Sequence, residues 1–171
     1  MEILIPAWVD GKLQPVEKLQ THLRGLRHKA VSVFIVKDNQ TLLQRRALEK
    51  YHTPGLWANA CCTHPEWNES GQACAIRRLT EELGLPPQKP IYRDTVEYRA
   101  DVGNGMVEHE VVEIFVVQAA KITIEPNPNE VMDYRWETLQ NLADQIAIRP
   151  QDFTPWLKIY LEKHAAQIFS D

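Results

Sequence analysis

No unbroken run of about 18 apolar residues exists in the 171-residue chain, so a membrane-crossing helix is not expected, nor a membrane partner. The first residues, MEILIPAWVDGKLQPVEK, show neither a basic start followed by an apolar stretch nor an Arg/Ser-rich bias. The expectation is therefore a cytoplasmic protein without a secretory or transit signal. No Lys/Arg block interrupts a formal net charge of −4, which argues against nucleic acid as a partner and requires any anion site to be local. Cysteine is scarce. Cys61, Cys62 and Cys74 make an odd set that fits no secreted disulfide framework, so free thiols are expected. Cys61 and Cys74 suit small buried hydrophobes, which leaves room for one chemically active thiol. Repeats and low-complexity segments are absent. So is a Gly-rich strand-to-helix signature, and a flavin or dinucleotide cofactor is accordingly not expected.

What is present points to one compact α+β domain, since 44% hydrophobic and 25% charged residues over this length suffice for a single core. Residues 2–9 are strand-like and meet the turn signal Asp10-Gly11, so a hairpin begins the chain. Ala30 to Val36 is rich in β-branched residues, and Asp38-Asn39 turns it into a second strand at 41–44. YHTPGLWANACCTHP carries Pro54-Gly55 and Pro65 and predicts a loop around a short strand. From Ser70 to Leu83 the apolar positions Ala73, Ile76, Leu79 and Leu83 recur at helical spacing, with Ser70 as N-cap and Gly84 as stop. Two longer strands follow at 91–100 and 107–119 around a turn at 101–105, with 121–125 as an extension of the second. The remainder predicts a strand at 131–136, a helix at 137–146 and a continuous C-terminal helix at 154–168. A mixed sheet layered with helices results.

One stretch carries a known pattern. Glu69, Arg77, Leu79, Glu81, Glu82, Gly84 and Leu85 occupy their positions in the motif Gly-x5-Glu-x7-Arg-Glu-U-x-Glu-Glu-x-Gly-U, where U is apolar, and this resembles the Nudix box. Thr63 replaces the first glycine, and Arg78 stands where Nudix hydrolases carry a carboxylate. A cation there weakens the glutamate cluster that gathers divalent ions to activate water. PGLWANACCTHP before the box, EYRADVGNGMVEHEV and NEVMDYRW after it, and FTPW near the end are together similar to the type 1 isopentenyl-diphosphate isomerase family. These segments span roughly residues 18 to 160. The resemblance implies a Nudix-like fold over residues 1–171, with 1–27 as an N-terminal extension contributing Lys18 and His22.

By the same resemblance, the catalytic thiol is Cys62 and its acid/base partner is Glu110, with Tyr98 hydrogen-bonded to that carboxylate. The metal site implied is His22, His28, His64, Glu108 and Glu110, for Mn²⁺, Mg²⁺ or Zn²⁺. Glu108 and Glu110, two apart on a strand, share a face and can converge on one ion. Five residues separate His22 from His28, one fewer than the family pattern, and Gly25 is where the shorter loop is expected to absorb the difference. His52, His109 and His164 match no ligand position and are expected at the surface or in packing. Lys18, Arg46, Lys50 and Arg78 form the implied substrate-binding set for an allylic or homoallylic diphosphate, and Glu82 the carboxylate for a bridging Mg²⁺. Arg77 is expected in ion pairs along its helix. A carbocation would need π-faces, for which Trp156 and Trp57 are the candidates, leaving Trp8, Trp67 and Trp136 to the core. Two other readings compete: a Nudix hydrolase, favoured by Glu81 and Glu82, and a catalytically inactive metal-binding domain. Oligomeric state is left open.

Overall fold

In a computed structural model, residues 2–170 are described; Met1 and Asp171, the ends of the expected 1–171 domain, lie outside the described residues. Among the described residues, nine strands join one mixed sheet around β3 (Arg27–Lys37). The opening hairpin, β1 (Leu4–Val9) and β2 (Lys12–Glu17), turns at Asp10-Gly11, both at positive φ, and leads into a short helix α1 (Lys18–Leu23). That helix was not legible in the pattern. It is only six residues long, and the Glu17 carboxylate caps it by accepting from the backbone N–H groups of Leu19 and Gln20.

β3 pairs antiparallel with β1, with β4 (Gln40–Arg46) and with β6 (Cys61–Thr63), and in parallel with β8 (Met106–Gln118). β4 also holds β5 (Trp57–Asn59) and β9 (Val131–Thr138), while β7 (Ile91–Gly103) pairs with β8. The loop expected to hold one short strand thus holds two. The Nudix-box helix α2 (Gly71–Leu83) begins and ends as its sequence predicts: Ser70 Oγ accepts from Ala73 N at 3.2 Å, and Gly84 lies at φ +67°. A Cβ on Gly84 would stand 2.5 Å from the Glu125 carbonyl oxygen, so glycine is required there twice over.

Three expectations need correction. Residues 121–125 are not strand, because Glu125 N bonds to Leu83 O and the segment packs Ile122 and Ile124 beside α2 instead. The helix expected from Glu137 starts later, as α3 (Leu139–Ile148), because Glu137 and Thr138 complete β9 and the Thr138 hydroxyl caps the helix. The C-terminal helix is broken. α4 (Pro155–Lys163) and α5 (Ala165–Phe169) meet at His164, whose φ of −131° is not helical.

Alternation along β3 divides the core between the sheet's two faces. Val31, Val33 and Ile35 pack with Leu79 and Leu83 of α2 on one side; Ala30 and Phe34 pack with Leu142 of α3 and Trp156, Leu157 and Tyr160 of α4 on the other. Truncating a fully buried leucine such as Leu79 would cost about 2–5 kcal/mol. No described helix is long and apolar enough to cross a membrane.

Candidate active site and metal centre

Register places the chemistry. His28 of β3 lies beside Glu110 of β8, Glu110 lies beside Tyr98 of β7, and Ser32 of β3 lies beside Cys62 of β6. Partners in register share a face, so these side chains all point to the α4 side of the sheet. The one-residue alternation also separates the two adjacent thiols. Cys61 is fully buried in the α2-side core, with Cys74, whereas Cys62 keeps partial exposure to a cavity. That cavity is lined by Lys18, Arg46, Lys50, Tyr51, His52, Cys62, His64, Arg78, Tyr98, Glu108, Glu110 and Trp156. Its free volume is ≈ 20 Å³, room for about one water.

His22, His28, His64 and Glu108 present ligand atoms within 4.8 Å of one another, all from buried side chains. Glu108 Oε2 lies 3.2 Å from His22 Nε2, 3.3 Å from His28 Nε2 and 3.8 Å from His64 Nε2; Glu110 Oε1 is 3.0 Å from His64 Nε2. His22 Nδ1 donates to Lys18 O at 2.6 Å, and His28 Nδ1 to Leu26 O at 2.7 Å. With Nδ1 held by a backbone carbonyl in both rings, it is Nε2 that each ring turns toward Glu108. His28 Nε2 and Glu108 Oε2 are buried without a well-aligned hydrogen bond. Imidazole nitrogens and a carboxylate aimed at one point are the donor set of a divalent cation, so the residues present fit a metal. Gly25 turns the loop between His22 and His28 at φ +61°, and His22 joins the cluster.

Burial resists charge on His28, yet the Glu108 and Glu110 carboxylates outweigh it and raise its pKa to about 10. Burial lowers His64 against the same carboxylates. Burial alone would raise Glu108, but the four surrounding histidines hold it well below the usual carboxylate range. The fourth of these is His52, which the sequence pattern did not place here. It is buried, with Nε2 2.7 Å from Glu108 Oε1 and Nδ1 2.9 Å from Thr53 Oγ1, and burial lowers its pKa to about 4. Its one signal was position, two residues after Lys50. His109 lies on the opposite side, 3.2 Å from Glu97 Oε1.

Tyr98 Oη donates to Glu110 Oε2 at 2.7 Å, as expected. Trp156 is buried against the cavity, with the Arg46 guanidinium 5.3 Å from its ring centre. Trp57 does not line this cavity: its ring packs under Arg135 at 4.1 Å, beside a separate surface pocket. Nor is Trp67 core, being 37% exposed. Cationic groups converge at the rim. Burial, then Lys50 and Arg78, lowers the Lys18 pKa to about 8. Arg78 binds Glu82 Oε1 at 2.6 Å, Glu81 Oε2 at 2.8 Å and Glu130 Oε1 at 3.2 Å. Lys50 pairs with the other oxygen of Glu130. Glu82 lies apart from the His/Glu cluster, its second oxygen accepting from Gln44 Nε2 at 2.9 Å. Arg77 forks onto Glu69 and reaches Glu81 within its helix.

Comparison with known proteins gives the family and the fold. A NUDIX domain model matches residues 26–157. The isopentenyl-diphosphate Delta-isomerase of Jannaschia sp. is 62% identical over 171 residues, covering 99% of this chain and 97% of that protein. The enzyme of the same name from Dinoroseobacter shibae is 58% identical, with 99% and 97% covered. The chain belongs to this isopentenyl-diphosphate Delta-isomerase family of Nudix proteins. Among solved structures, a Deinococcus radiodurans protein superposes with a TM-score of 0.75 at 14% identity, covering 95% of this chain and 98% of its own. The MutT NUDIX hydrolase of Burkholderia pseudomallei superposes with a TM-score of 0.61 at 25% identity, covering 81% and 98%. At the lower identity the likeness shows the fold alone. Family membership and the α+β Nudix fold are thus both established from the whole chain, not from the box by itself.

Proposed function

We propose that the protein is an isomerase interconverting isopentenyl and dimethylallyl diphosphate, with Cys62 and Glu110 as its acid/base pair. The observation that carries this reading is that Cys62 and Glu110 line one cavity from strands flanking β3 on either side, under Trp156. Moving the double bond requires a proton added to one carbon and another removed from a carbon two positions away, through a tertiary cation. One group gives the proton and the other takes it, so two groups reaching the substrate from different strands suffice. Burial, together with the neighbouring Glu110 carboxylate, pushes the Cys62 thiol up and holds it neutral at rest, against the opposing pull of Ser32. Tyr98 fixes one oxygen of Glu110 and His64 contacts the other, which orients the carboxylate. Trp156 covers the cavity with an aromatic face that excludes water and favours a passing cation.

His22, His28, His64, Glu108 and Glu110 would hold Mn²⁺, Mg²⁺ or Zn²⁺, which when bound neutralises the two carboxylates and fixes the orientation of Glu110. Lys18, Arg46, Lys50 and Arg78 would receive the diphosphate, and Glu82 would supply a carboxylate to a Mg²⁺ that offsets its charge. The substrate is a small diphosphate, no flavin is needed, and reduced thiols suit the cytoplasm. The hydrolase reading loses ground at Arg78, whose guanidinium engages both Glu81 and Glu82. The test is conversion of isopentenyl diphosphate in heavy water without flavin, followed by NMR. Deuterium should enter both the protonated and the deprotonated carbon with no phosphate released; phosphate release without isomerisation would refute the proposal.

A further inference from the structure

The α4-facing side of β3 reads Ala30, Ser32, Phe34, and Ser32 is 1% exposed. A hydroxyl buried in that stripe destabilises the fold unless it is paired. Ser32 Oγ has two partners, Cys62 Sγ at 3.3 Å and Tyr160 Oη at 2.9 Å. On the far side of the thiol, Asn59 Oδ1 lies 2.8 Å from Cys62 Sγ.

The direction of this chain follows from chemistry. Asn59 Nδ2 donates to Val33 O at 2.9 Å and Cys61 O at 3.1 Å. Carbonyls only accept, so the amide nitrogen must face them and the amide oxygen must face the thiol. The Cys62 proton therefore points to Asn59, and the contact with Ser32 must be donated by Ser32. With its single proton so placed, Ser32 accepts from Tyr160. The order is Tyr160 to Ser32 to Cys62 to Asn59.

We propose that Tyr160 is a positioning residue for the Cys62 thiol, holding the sulfur toward the cavity through Ser32 while Asn59 fixes the thiol from the other side. This rests on the reading of Cys62 as an acid/base group. Tyr160 follows Trp156 by one helical turn, so the same face of α4 covers the cavity and aims the sulfur. As core packing alone, a phenylalanine would serve at position 160: the ring meets Phe34 and Tyr98 edge-on, each at 5.9 Å, without using the hydroxyl.

Tyr160→Phe, Ser32→Ala and the double variant, made in a Cys61→Ser, Cys74→Ser background, separate these roles. Two rates are measured at one pH: steady-state isomerisation, and alkylation of the remaining thiol by iodoacetamide without substrate, followed by intact mass. Tyr160→Phe should lower kcat about five- to tenfold with KM within about twofold, and should change the alkylation rate. In the double variant, Tyr160→Phe should add nothing to the Ser32→Ala effect. A wild-type kcat and alkylation rate in Tyr160→Phe would overturn the proposal. So would a full, additive effect of Tyr160→Phe when Ser32 is already alanine. If Ser32→Ala does not fold, Tyr160→Phe decides alone. If the parent protein shows no isomerase activity, the functional reading fails while the alkylation rates still test positioning.

Discussion

Arg78→Glu restores the carboxylate that Nudix hydrolases carry at this box position, and the structure predicts that it damages the protein's affinity for a diphosphate. The Arg78 side chain is 16% exposed and sits among Glu82 at 2.6 Å, Glu81 at 2.8 Å and Glu130 at 3.2 Å, with Lys18 and Lys50 on the same cavity rim. Two unit charges about 4 Å apart interact by about 4 kcal/mol at an effective dielectric constant near 20. Reversing the sign at position 78 replaces an attraction to the phosphates with a repulsion, and leaves four carboxylates clustered. Solvent and counterions screen much of this at a partly open rim. A net loss of about 3 kcal/mol, a rise in KM of about a hundredfold, is the expected size. The assay is steady-state isomerisation followed by NMR, with phosphate release measured in parallel and melting temperature recorded to exclude unfolding. An unchanged or lower KM in a folded variant would refute the assignment of Arg78 to the diphosphate. A gain of phosphate release at the expense of isomerisation would show that this one position separates the two chemistries.

Cys62→Ser should lose nearly all turnover, since an alcohol ionises far less readily than a thiol, while Cys61→Ser and Cys74→Ser, in the opposite core, should stay active. Wild-type turnover in Cys62→Ser with a dead Cys61→Ser would shift the assignment by one residue. His64→Ala and Glu108→Gln should each lower bound divalent metal markedly, because each removes one member of the His/Glu cluster, as metal analysis of purified protein will show. Full metal retention in both would remove the site. Lys18 is charged below its lowered pKa of about 8 and neutral above it, so KM for the diphosphate should rise as pH climbs through about 8. Diphosphate binding raises that pKa again and should take up a proton above pH 8, measurable by calorimetry in buffers of different ionisation enthalpy. A flat KM between pH 7 and 9 would exclude Lys18 from the anion site.

The strongest sequence signals were local, and they held where local forces decide. Ser70 and Gly84 delimited α2 because a cap hydroxyl and a left-handed residue act within one helical turn. The spacing of Glu108 and Glu110 put both carboxylates on one face, because strand periodicity is two. Resemblance to a known family named the cluster of histidines and glutamates that the structure brings together. Tertiary packing decided what lies beyond these ranges. The parallel pairing of β3 with β8 joins residues about eighty apart, and this register sets His28 against Glu110; no local pattern encodes it. His52 reached Glu108 through the fold of a Pro-Gly loop, and Trp57 turned away because β5 pairs with β4 beneath Arg135. The final helix broke at His164 so that α5 could bury Ile168, a gain in apolar contact that intrinsic helix propensity does not contain. Sequence thus supplied the groups proposed to carry the chemistry. Only the sheet's long-range register, set by burying both of its faces, decided which of them meet.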